Sequence, residues 1–499
     1  MIRSVLIANR GEIAVRIARA LRERGLRSVA VYSEADRLAA HVLAADEAHP
    51  IGPAPSARSY LRTDKLIEVA KASGADAIHP GYGFLSERAD FARAVEDAGL
   101  VFIGPTADTI AAMGDKTEAR RRMSEAGVPI VPGLTGSVTG VDEAESAAGD
   151  IGFPVLLKAA AGGGGKGMRV VADPAGLRSA FEAAAREALG AFGDGSIYLE
   201  RYLARPRHIE IQVLGDDHGN VVHLGERECS IQRRHQKLIE EAPSTVLSAS
   251  ERQAMGDAAV KAARAVNYRG AGTVEFLYQD GAFFFLEMNT RLQVEHPVTE
   301  LVTGIDLVEW QLRVADGEPL AFGQEDISLE GHALECRITS EDPFGGFLPA
   351  TGVISHLEIP SGPGVRWDGG IQQGSEVSPH YDPLLGKLVT WGVDREVAIA
   401  RMARALNELV IAGLETSASF HRRVMDEPDF RAGTLSTRYV EEHPALLEPE
   451  TDAADFAAAA VAAALLEEAH RRRAAPRISA SGGNPMSPWR ESGRPWRQP

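Results

Sequence analysis

A hairpin pattern followed at once by dense charge constrains the fold of this chain more than any other feature. Two runs rich in apolar and aromatic residues flank Gln279-Asp280-Gly281, and such runs around an Asp-Gly pair predict a β-hairpin. If the loop holds all three residues, Glu275 and Glu287 project from the same face as opposite or diagonal neighbours. The sequence therefore predicts two acidic side chains next to each other in a sheet.

The polar side chains of this hairpin predict a metal site. Asn289 falls on the same face as Glu275 and Glu287. Two carboxylates a few ångströms apart repel each other, so a hard divalent cation between them best explains the pattern. The alternative is a solvated hairpin face. Alternation would place Phe283 and Phe285 on that face too, which argues against simple exposure.

Composition narrows the class of protein. At 499 residues and 44% hydrophobic content the chain reads as a folded enzyme of about two to four domains. A net charge of -17 argues against nonspecific nucleic-acid binding. With only Cys229 and Cys336, no disulfide framework or four-cysteine zinc site is available, so a reducing compartment, the cytoplasm, is expected. The apolar start is too short for a signal peptide, and the alanine-rich run of residues 456–466 is too short to span a bilayer, so no membrane insertion is expected.

The first 112 residues alternate strand and helix patterns, which predicts a parallel sheet covered by helices. A dinucleotide-binding fold is the alternative, with Asp36 as the ribose-binding acid. The turn of residues 9–14 offers only Gly11 where close pyrophosphate approach needs three glycines. NAD binding is therefore not expected.

Residues 130–203 predict a compact unit built around a glycine run. Strand patterns at Pro154–Ala159 and Met168–Val171 flank Gly162–Gly165. Consecutive glycines let backbone N–H groups approach phosphate oxygens, so this unit resembles a nucleotide lid. A P-loop fits poorly because no Ser or Thr follows Lys166 and a strand comes next. A flexible linker fits poorly because the flanking runs are apolar.

Several runs, in this order and spacing, resemble biotin carboxylase, an enzyme of the ATP-grasp family. They are Lys158 with Gly162–Met168, Glu200–Leu203, Arg233–Lys237, Glu287–Pro297 and Glu335–Ile338. The resemblance covers roughly residues 1–445 and implies an α/β and α+β chain with an ATP-grasp fold. The expected parts are a Rossmann-like N-terminal domain (1–112) that does not hold the nucleotide, a first ATP-grasp part with the glycine-rich lid (113–203), a second part with the metal and bicarbonate site (204–318), a C-terminal biotin carboxylase domain (319–445), and an alanine-rich helix with a disordered tail (446–499).

The resemblance implies Mg²⁺ or Mn²⁺ at Glu275, Glu287 and Asn289, and ATP in an adjoining pocket. The nucleotide-binding residues implied are Lys116, Lys158, Gly162, Gly163, Gly164, Gly165, Lys166, Gly167, Glu200, Leu203, His208, Gln232, His235, Glu275 and Glu287. Glu200 and Leu203 belong to the adenine end of this pocket.

The alternating residues Arg291, Gln293 and Glu295 share one face if the segment is extended. By resemblance they hold bicarbonate together with the main chain at Val294, and Glu295 is the general base. Arg291 is expected to keep Glu295 ionised.

Two further cations have implied roles. Lys237 is expected to stabilise the transferring phosphoryl group. Arg337 is expected to face the charge on the ureido oxygen of deprotonated biotin, which is the substrate.

Two other functions remain open at this point. One is another bicarbonate-using ATP-grasp ligase, such as a carbamoyl-phosphate synthetase half, and the other is a non-catalytic assembly subunit. None of the nine methionines has a lysine beside it, so biotin is expected on a separate carrier protein. The further partners implied are a carboxyltransferase of an acyl-CoA carboxylase and a second copy of the chain, with Arg16 and Glu23 at matching helix positions.

Overall fold

The computed structural model describes residues 1–134, 136–159, 168–449 and 461–468, and the chain divides into two compact units, Met1–Leu447 and Glu448–Pro499. The strands of the first unit are β1 (Ser4–Ile7), β2 (Arg27–Ser33), β3 (Glu47–Gly52), β4 (Ala77–His79), β5 (Val101–Phe102), β6 (Val155–Ala159), β7 (Arg169–Val171), β8 (Ile197–Arg201), β9 (Arg207–Gly215), β10 (Val221–Arg233), β11 (Gln236–Ala242), β12 (Gly270–Gln279), β13 (Ala282–Asn289), β14 (His332–Thr339), β15 (Glu341–Asp342), β16 (Leu348–Pro349), β17 (Gly352–Val353), β18 (His356–Glu358), β19 (Val365–Gly369), β20 (Glu376–Val377), β21 (Leu384–Gly392) and β22 (Val410–Ala412).

The helices of this unit are α1 (Gly11–Glu23), α2 (Ala40–Ala44), α3 (Thr63–Ser73), α4 (Ala89–Asp97), α5 (Ala107–Gly114), α6 (Lys116–Glu125), α7 (Val141–Ile151), α8 (Pro174–Phe192), α9 (Ala249–Ala265), α10 (His296–Thr303), α11 (Leu307–Ala315), α12 (Arg395–Glu408), α13 (Ala418–Asp426), α14 (Pro428–Arg431) and α15 (Tyr439–Glu442).

The first sheet is parallel and has the strand order β3-β2-β1-β4-β5. In β1, Val5 and Ile7 pack into one apolar cluster and Leu6 packs into another. A strand whose successive side chains enter two different cores is covered on both faces, as in helix-covered parallel sheets. The predicted fold class of residues 1–112 is therefore confirmed.

The acid considered for ribose binding has partners within the chain. Asp36 accepts hydrogen bonds from Arg10 Nε at 2.7 Å and from the Tyr60 hydroxyl at 2.5 Å. Arg10 and the hydroxyl hydrogen bond of Tyr60, opposing the effect of burial, lower the pKa of Asp36. The ionised Asp36 carboxylate thus joins Arg10, at the end of the loop after β1, to Tyr60, in the loop after β3.

The lid region forms a small antiparallel sheet in the order β7-β6-β8, packed against α7 and α8. The predicted strands on either side of the glycine run are present as β6 and β7. The helix α8 begins at a proline after Asp173, whose side chain accepts from the backbone N–H of Gly176. The glycine run itself lies outside the described residues.

An eight-stranded sheet carries most of the candidate chemistry, in the order β13-β12-β9-β10-β11-β14-β21-β19. Its strand pairs are antiparallel. The pairing of β11 with β14 continues the sheet across residue 319, where a domain boundary is expected. Side chains from both sides of that position therefore meet on one surface.

The hairpin of β12 and β13 differs from its predicted geometry in one respect. Gln279 pairs with Ala282, so the loop holds two residues, and Asp280 (φ 53°) and Gly281 (φ 79°) both lie in the left-handed region of a tight hairpin turn. A three-residue loop is therefore wrong. Because Gln279 pairs with Ala282 and is not part of the loop, the pairing of the two strands is shifted by one residue from the predicted register.

A β-bulge restores the predicted pairing further along the hairpin. Phe276 pairs with Phe285, whereas Glu275 pairs with Glu287, which leaves Leu286 as the extra residue. The two acids are thus directly opposite, as predicted. Phe285 does not share their face as alternation suggested, because the bulge places it with Phe276 in the apolar core.

The second unit is described only at residues 448–449 and 461–468, and 461–468 form an exposed helix, α16. It falls within the predicted alanine-rich helix, and the rest of that prediction lies outside the described residues. Within the described part of the chain, no helix has the length and apolarity needed to cross a membrane.

Candidate active site

Three carboxylates converge on one buried ammonium group in the large sheet. Lys237 Nζ on β11 lies 2.5 Å from Glu210 Oε2 on β9, 2.9 Å from Glu275 Oε1 on β12 and 2.7 Å from Glu295 Oε1. Burial would lower the pKa of Lys237, but the three carboxylates outweigh it and raise that pKa well above its ordinary value. Lys237 is therefore a permanent cation at the centre of the site.

Glu295 is held ionised by cations from three strands. Its Oε2 accepts from Arg337 Nη2 at 2.8 Å, and its Oε1 faces Lys237. Burial alone would raise the pKa of Glu295, but Lys237, Arg337 and Arg227 outweigh it and hold that pKa well below its usual value. The ionised state predicted for Glu295 follows from these three cations.

Arg291 has a different partner from the one predicted. Its Nε donates to Glu87 Oε2 at 2.8 Å, and its Nη2 donates to Asn289 Oδ1 at 2.9 Å. The expected extended segment is also wrong at its end. Glu295 has φ −81° and ψ 13° because it caps α10, which begins at His296. The alternation is therefore broken by a turn, and Glu295 turns toward Lys237 instead of Arg291.

Arg227 is the buried hub behind these groups, and its side chain is 0% exposed. Its five N–H groups donate to five acceptors, which are Glu210 Oε1 (2.5 Å), Gln212 Oε1 (2.7 Å), Thr299 Oγ1 (2.9 Å), Thr273 Oγ1 (3.0 Å) and Gln293 Oε1 (3.1 Å). Because a guanidinium has five donors, this network is saturated. Arg227 thereby fixes the Gln293 carboxamide, whose Nε2 donates to Glu275 Oε1 at 2.8 Å.

The predicted metal ligands lie together. Glu275 is buried and opposite Glu287 in the ladder, and its Oε1 accepts from Asn289 Nδ2 at 2.9 Å. Desolvation and then the charge of Glu275 raise the pKa of Glu287, which signals unrelieved repulsion between the two carboxylates. A cation would relieve it. Lys116, an exposed residue at the start of α6, opposes this rise in the pKa of Glu287.

His208 faces Glu275 from β9, with Nε2 3.0 Å from Glu275 Oε2. Burial lowers the pKa of His208, but the charge of Glu275 outweighs it and the pKa is raised. Among the described residues, His208, Glu210 and Glu275 also have donor atoms close enough together to hold a metal ion. The carboxylate oxygens of Glu210 and Glu275 are the ligand type that a hard cation such as Mg²⁺ prefers.

Arg337 on β14 joins Glu295 to a second acid. Its Nε donates to Glu240 Oε1 at 2.6 Å, while Nη2 donates to Glu295. Burial raises the pKa of Glu240 to about 7 against the opposing charge of Arg337. Glu335 pairs with Glu240 across the strands, and burial raises its pKa well above the usual value. The hydrogen bonds to Glu240 and Glu295 therefore hold the Arg337 guanidinium in one position.

The remaining predicted nucleotide residues lie around the lid and the β10–β11 turn. Lys158 on β6 donates to Glu200 on β8 at 2.5 Å, and Leu203 follows that strand, partly buried. Gln232 is buried opposite Lys237 in the ladder, and His235 is exposed in the two-residue turn with φ 65°. The predicted residues Gly162, Gly163, Gly164, Gly165, Lys166 and Gly167 lie outside the described part of the chain.

Three family descriptions match successive parts of the chain. Residues 1–110 match the family described as "Biotin carboxylase, N-terminal domain", residues 115–322 "Carbamoyl-phosphate synthase L chain, ATP binding domain", and residues 335–442 "Biotin carboxylase C-terminal domain". The biotin carboxylase of Haemophilus influenzae is 53% identical over 449 residues, which are 90% of this chain and 100% of that protein. The chain belongs to the biotin carboxylase family.

Other relatives in the biotin carboxylase family match to a similar degree. Biotin carboxylase 1 of Bacillus subtilis is 52% identical over 448 residues, which are 89% of this chain and 100% of that protein. Among solved structures, the biotin carboxylase domain dimer of Hydrogenobacter thermophilus 2-oxoglutarate carboxylase, in complex with MgADP, ADP and bicarbonate, has a TM-score of 0.84 and 48% identity, covering 90% of this chain and 100% of that one.

Membership in the biotin carboxylase family decides between the functions left open by the sequence. The carbamoyl-phosphate synthase description applies to the ATP-binding part alone, and both flanking parts match biotin carboxylase. The chain is an ATP-dependent ligase that carboxylates biotin with bicarbonate, and its fold is the ATP-grasp fold.

Several residues of this biotin carboxylase site escaped the sequence reasoning, namely Glu87, Glu210, Arg227 and Glu240. The signal for two of them was available, because Glu210 and Arg227 are charges inside otherwise buried strand patterns. Arg16 and Glu23, the positions expected between two copies of the chain, lie on α1, where Arg16 Nη2 is 3.0 Å from Glu300 Oε1 and Glu23 is exposed, and their place in a dimer stays a prediction.

Proposed function

We propose that Glu295, Lys237, Arg291 and Arg337 are the catalytic residues of the biotin carboxylase reaction in this chain. The observation that carries the proposal is the meeting of Glu295 with Lys237 on one carboxylate oxygen and with Arg337 on the other. The base, the cation for phosphoryl transfer and the cation for biotin are thereby in direct contact. Such contact suits two consecutive anionic steps at one place.

Glu275, Glu287 and Asn289 would hold Mg²⁺ or Mn²⁺, which would supply charge neutralisation for the ATP phosphates. The raised pKa of Glu287 supports this role, since burial and then the charge of Glu275 disfavour its ionised form, and a bound cation would offset both. The nucleotide pocket proposed around them includes Lys116 and His208, together with Lys158, Glu200, Leu203, Gln232, His235 and the glycine run.

In the first step, bicarbonate binds to Arg291, to the Gln293 side chain and to the main chain at Val294. Glu295 takes the bicarbonate proton, a bicarbonate oxygen forms a bond to the γ-phosphorus, and the bond to ADP breaks to leave carboxyphosphate.

In the second step, the bond between the carboxyl carbon and the phosphate oxygen of carboxyphosphate breaks, the released phosphate takes the proton of the biotin ureido N–H, and the nitrogen forms a bond to the carboxyl carbon. Arg337 would face the ureido oxygen as negative charge develops there. Its partner Glu240 orients the guanidinium through Nε, and the Nη2 of the same guanidinium donates to Glu295.

The biotin is proposed to be attached to a separate carrier protein and to pass its carboxyl group to a carboxyltransferase of an acyl-CoA carboxylase. A separate carrier is proposed because the match covers the whole length of the biotin carboxylase of Haemophilus influenzae. A homodimer is proposed because the solved 2-oxoglutarate carboxylase domain is a dimer. The cytoplasmic location stays a prediction.

The test is Glu295→Gln, which keeps the shape and removes the base. We expect biotin-dependent ADP release to fall by about two orders of magnitude or more, with MgATP affinity in calorimetry unchanged. Glu358→Gln is the matched control, since this carboxylate is exposed on β18. Near-normal turnover of Glu295→Gln would remove Glu295 from the role of base.

A further inference from the structure

Two buried side chains hold the main chain on either side of Val294. Lys387 on β21 is 0% exposed, and its Nζ donates to the Val294 carbonyl oxygen at 2.8 Å. The same ammonium lies 3.1 Å from Glu12 Oε1 on α1. A buried ammonium paired with a carboxylate and aimed at one backbone oxygen is a fixed support for that peptide.

His296 holds the preceding peptide in the same way. Its ring is 0% exposed, and Nδ1 lies 2.8 Å from the Gln293 carbonyl oxygen. A carbonyl oxygen can only accept, so the proton of this ring is on Nδ1. Burial and the nearby charge of Lys387 hold the pKa of His296 well below its usual value, so the ring is neutral.

Fixing the Gln293 carbonyl also fixes the Val294 N–H. The two groups belong to one planar trans peptide and point in opposite directions. The His296 ring, together with the backbone N–H of His296 at 3.3 Å from the same oxygen, therefore sets the direction of the Val294 N–H, while Lys387 sets the peptide that follows. With both flanking peptides held, the two backbone torsions of Val294 have no freedom left.

We infer that His296 and Lys387 are positioning residues that aim the Val294 N–H at bicarbonate before the substrate arrives. The inference rests on the proposed function, in which bicarbonate contacts the main chain at Val294. A donor that is already oriented needs no reorganisation when the anion binds, so its loss weakens bicarbonate binding specifically. Among the described residues, the hydrogen bonds and ion pairs of these two side chains go to Gln293, Val294, Glu12 and Glu300 and to none of the proposed nucleotide contacts, so ATP binding should not depend on them.

The test compares His296→Asn with His296→Leu in the full chain. Asparagine offers an amide N–H near the place of Nδ1, whereas leucine has similar bulk and no donor. The measurements are the KM for bicarbonate, the KM for MgATP and the kcat of ADP release with free biotin. We expect the leucine variant to raise the KM for bicarbonate by ~10- to 100-fold with the KM for MgATP unchanged. The asparagine variant should stay near the wild-type value.

A second set of variants tests the hydrogen bond from Lys387 to the Val294 carbonyl oxygen. Lys387→Met with Glu12→Gln removes the donor without leaving a buried charge alone, and the same double change at the exposed pair Lys65 and Glu68 of α3, Lys65→Met with Glu68→Gln, is the control. The double variant should raise the KM for bicarbonate, and the control should not. This pair decides the matter if His296→Leu does not fold, as judged by its thermal unfolding.

Two outcomes would overturn the inference. One is an unchanged KM for bicarbonate in both donor-free variants, and the other is an equal rise of the KM values for bicarbonate and MgATP. The proposed function fails differently, through a wild-type chain that shows no bicarbonate-dependent ADP release with biotin. An active wild type with unaffected variants overturns only the positioning role.

Discussion

Replacing Arg227 by lysine is the most direct test of the buried network beneath the site. Arg227 uses five donors on five acceptors, and lysine has three. At least two buried acceptors therefore lose their partner, at about 1–3 kcal/mol each. We expect Arg227→Lys to lower the free energy of unfolding by ~2–6 kcal/mol, a large share of the typical total of about 5–15 kcal/mol.

Arg252→Lys is the matched control for this prediction. Arg252 also donates to a buried glutamate of β10, Glu226, but its own side chain is 26% exposed. Solvent replaces lost donors at such a site, so the expected cost is below about 1 kcal/mol.

The two variants are compared by urea unfolding followed by far-ultraviolet circular dichroism. Arg227→Lys should also raise the KM for bicarbonate, because the Gln293 carboxamide loses a donor. Equal unfolding midpoints for the two variants would refute the claim that all five hydrogen bonds of Arg227 matter.

Three further predictions follow from the same geometry. Arg337→Ala should slow biotin carboxylation far more than it weakens MgATP affinity, because its charge faces biotin only after deprotonation, and equal losses would make it a structural residue. Burial raises the pKa of Glu240 from 4.5 to about 7, so its neutral form stabilises the fold fully below 4.5, and this contribution is lost as the pH rises through 7. Urea unfolding should show the wild type losing stability against Glu240→Gln over that window, and a constant difference would contradict the shift. Glu287→Lys places an ammonium group directly opposite Glu275 in the ladder and should abolish Mg²⁺-dependent ATP binding in calorimetry. Retained binding would show that Glu287 is not a ligand.

The hairpin shows what strand periodicity can and cannot determine. The opposition of Glu275 and Glu287 was predictable because both acids bracket one Asp-Gly turn. The route to it was not, because the sequence does not show that Gln279 enters the ladder or that Leu286 is the residue left unpaired. Period-two patterns fix which residues alternate, but a bulge resets the alternation at a position that packing chooses.

The charges around Glu295 show a different limit. The sequence predicts Glu295 as the base, but nearness along the chain points to Arg291 as the cation that keeps it ionised. The structure supplies Lys237, Arg337 and Arg227 from three other strands. Partners that meet through the order of strands in a sheet cannot be read from local spacing. The parallel first sheet was predictable for the opposite reason, since its strands and helices follow one another along the chain.

The side chains that hold residues 291–295, the segment proposed to bind bicarbonate, limit how chimeras of this protein and its relatives can be built. Arg291 is held by Glu87, and Lys387 is paired with Glu12, so two carboxylates from the first 112 residues reach the loop. A chimera joined near residue 112 would exchange those acids together with the first sheet. Such hybrids should work only when the donor segment brings an acid to both places, even though that segment contributes no proposed contact to ATP. Residue 112 looks like a natural place to join two relatives. Residues 291–295 and the acids that support them lie on opposite sides of that junction, so both have to come from compatible proteins.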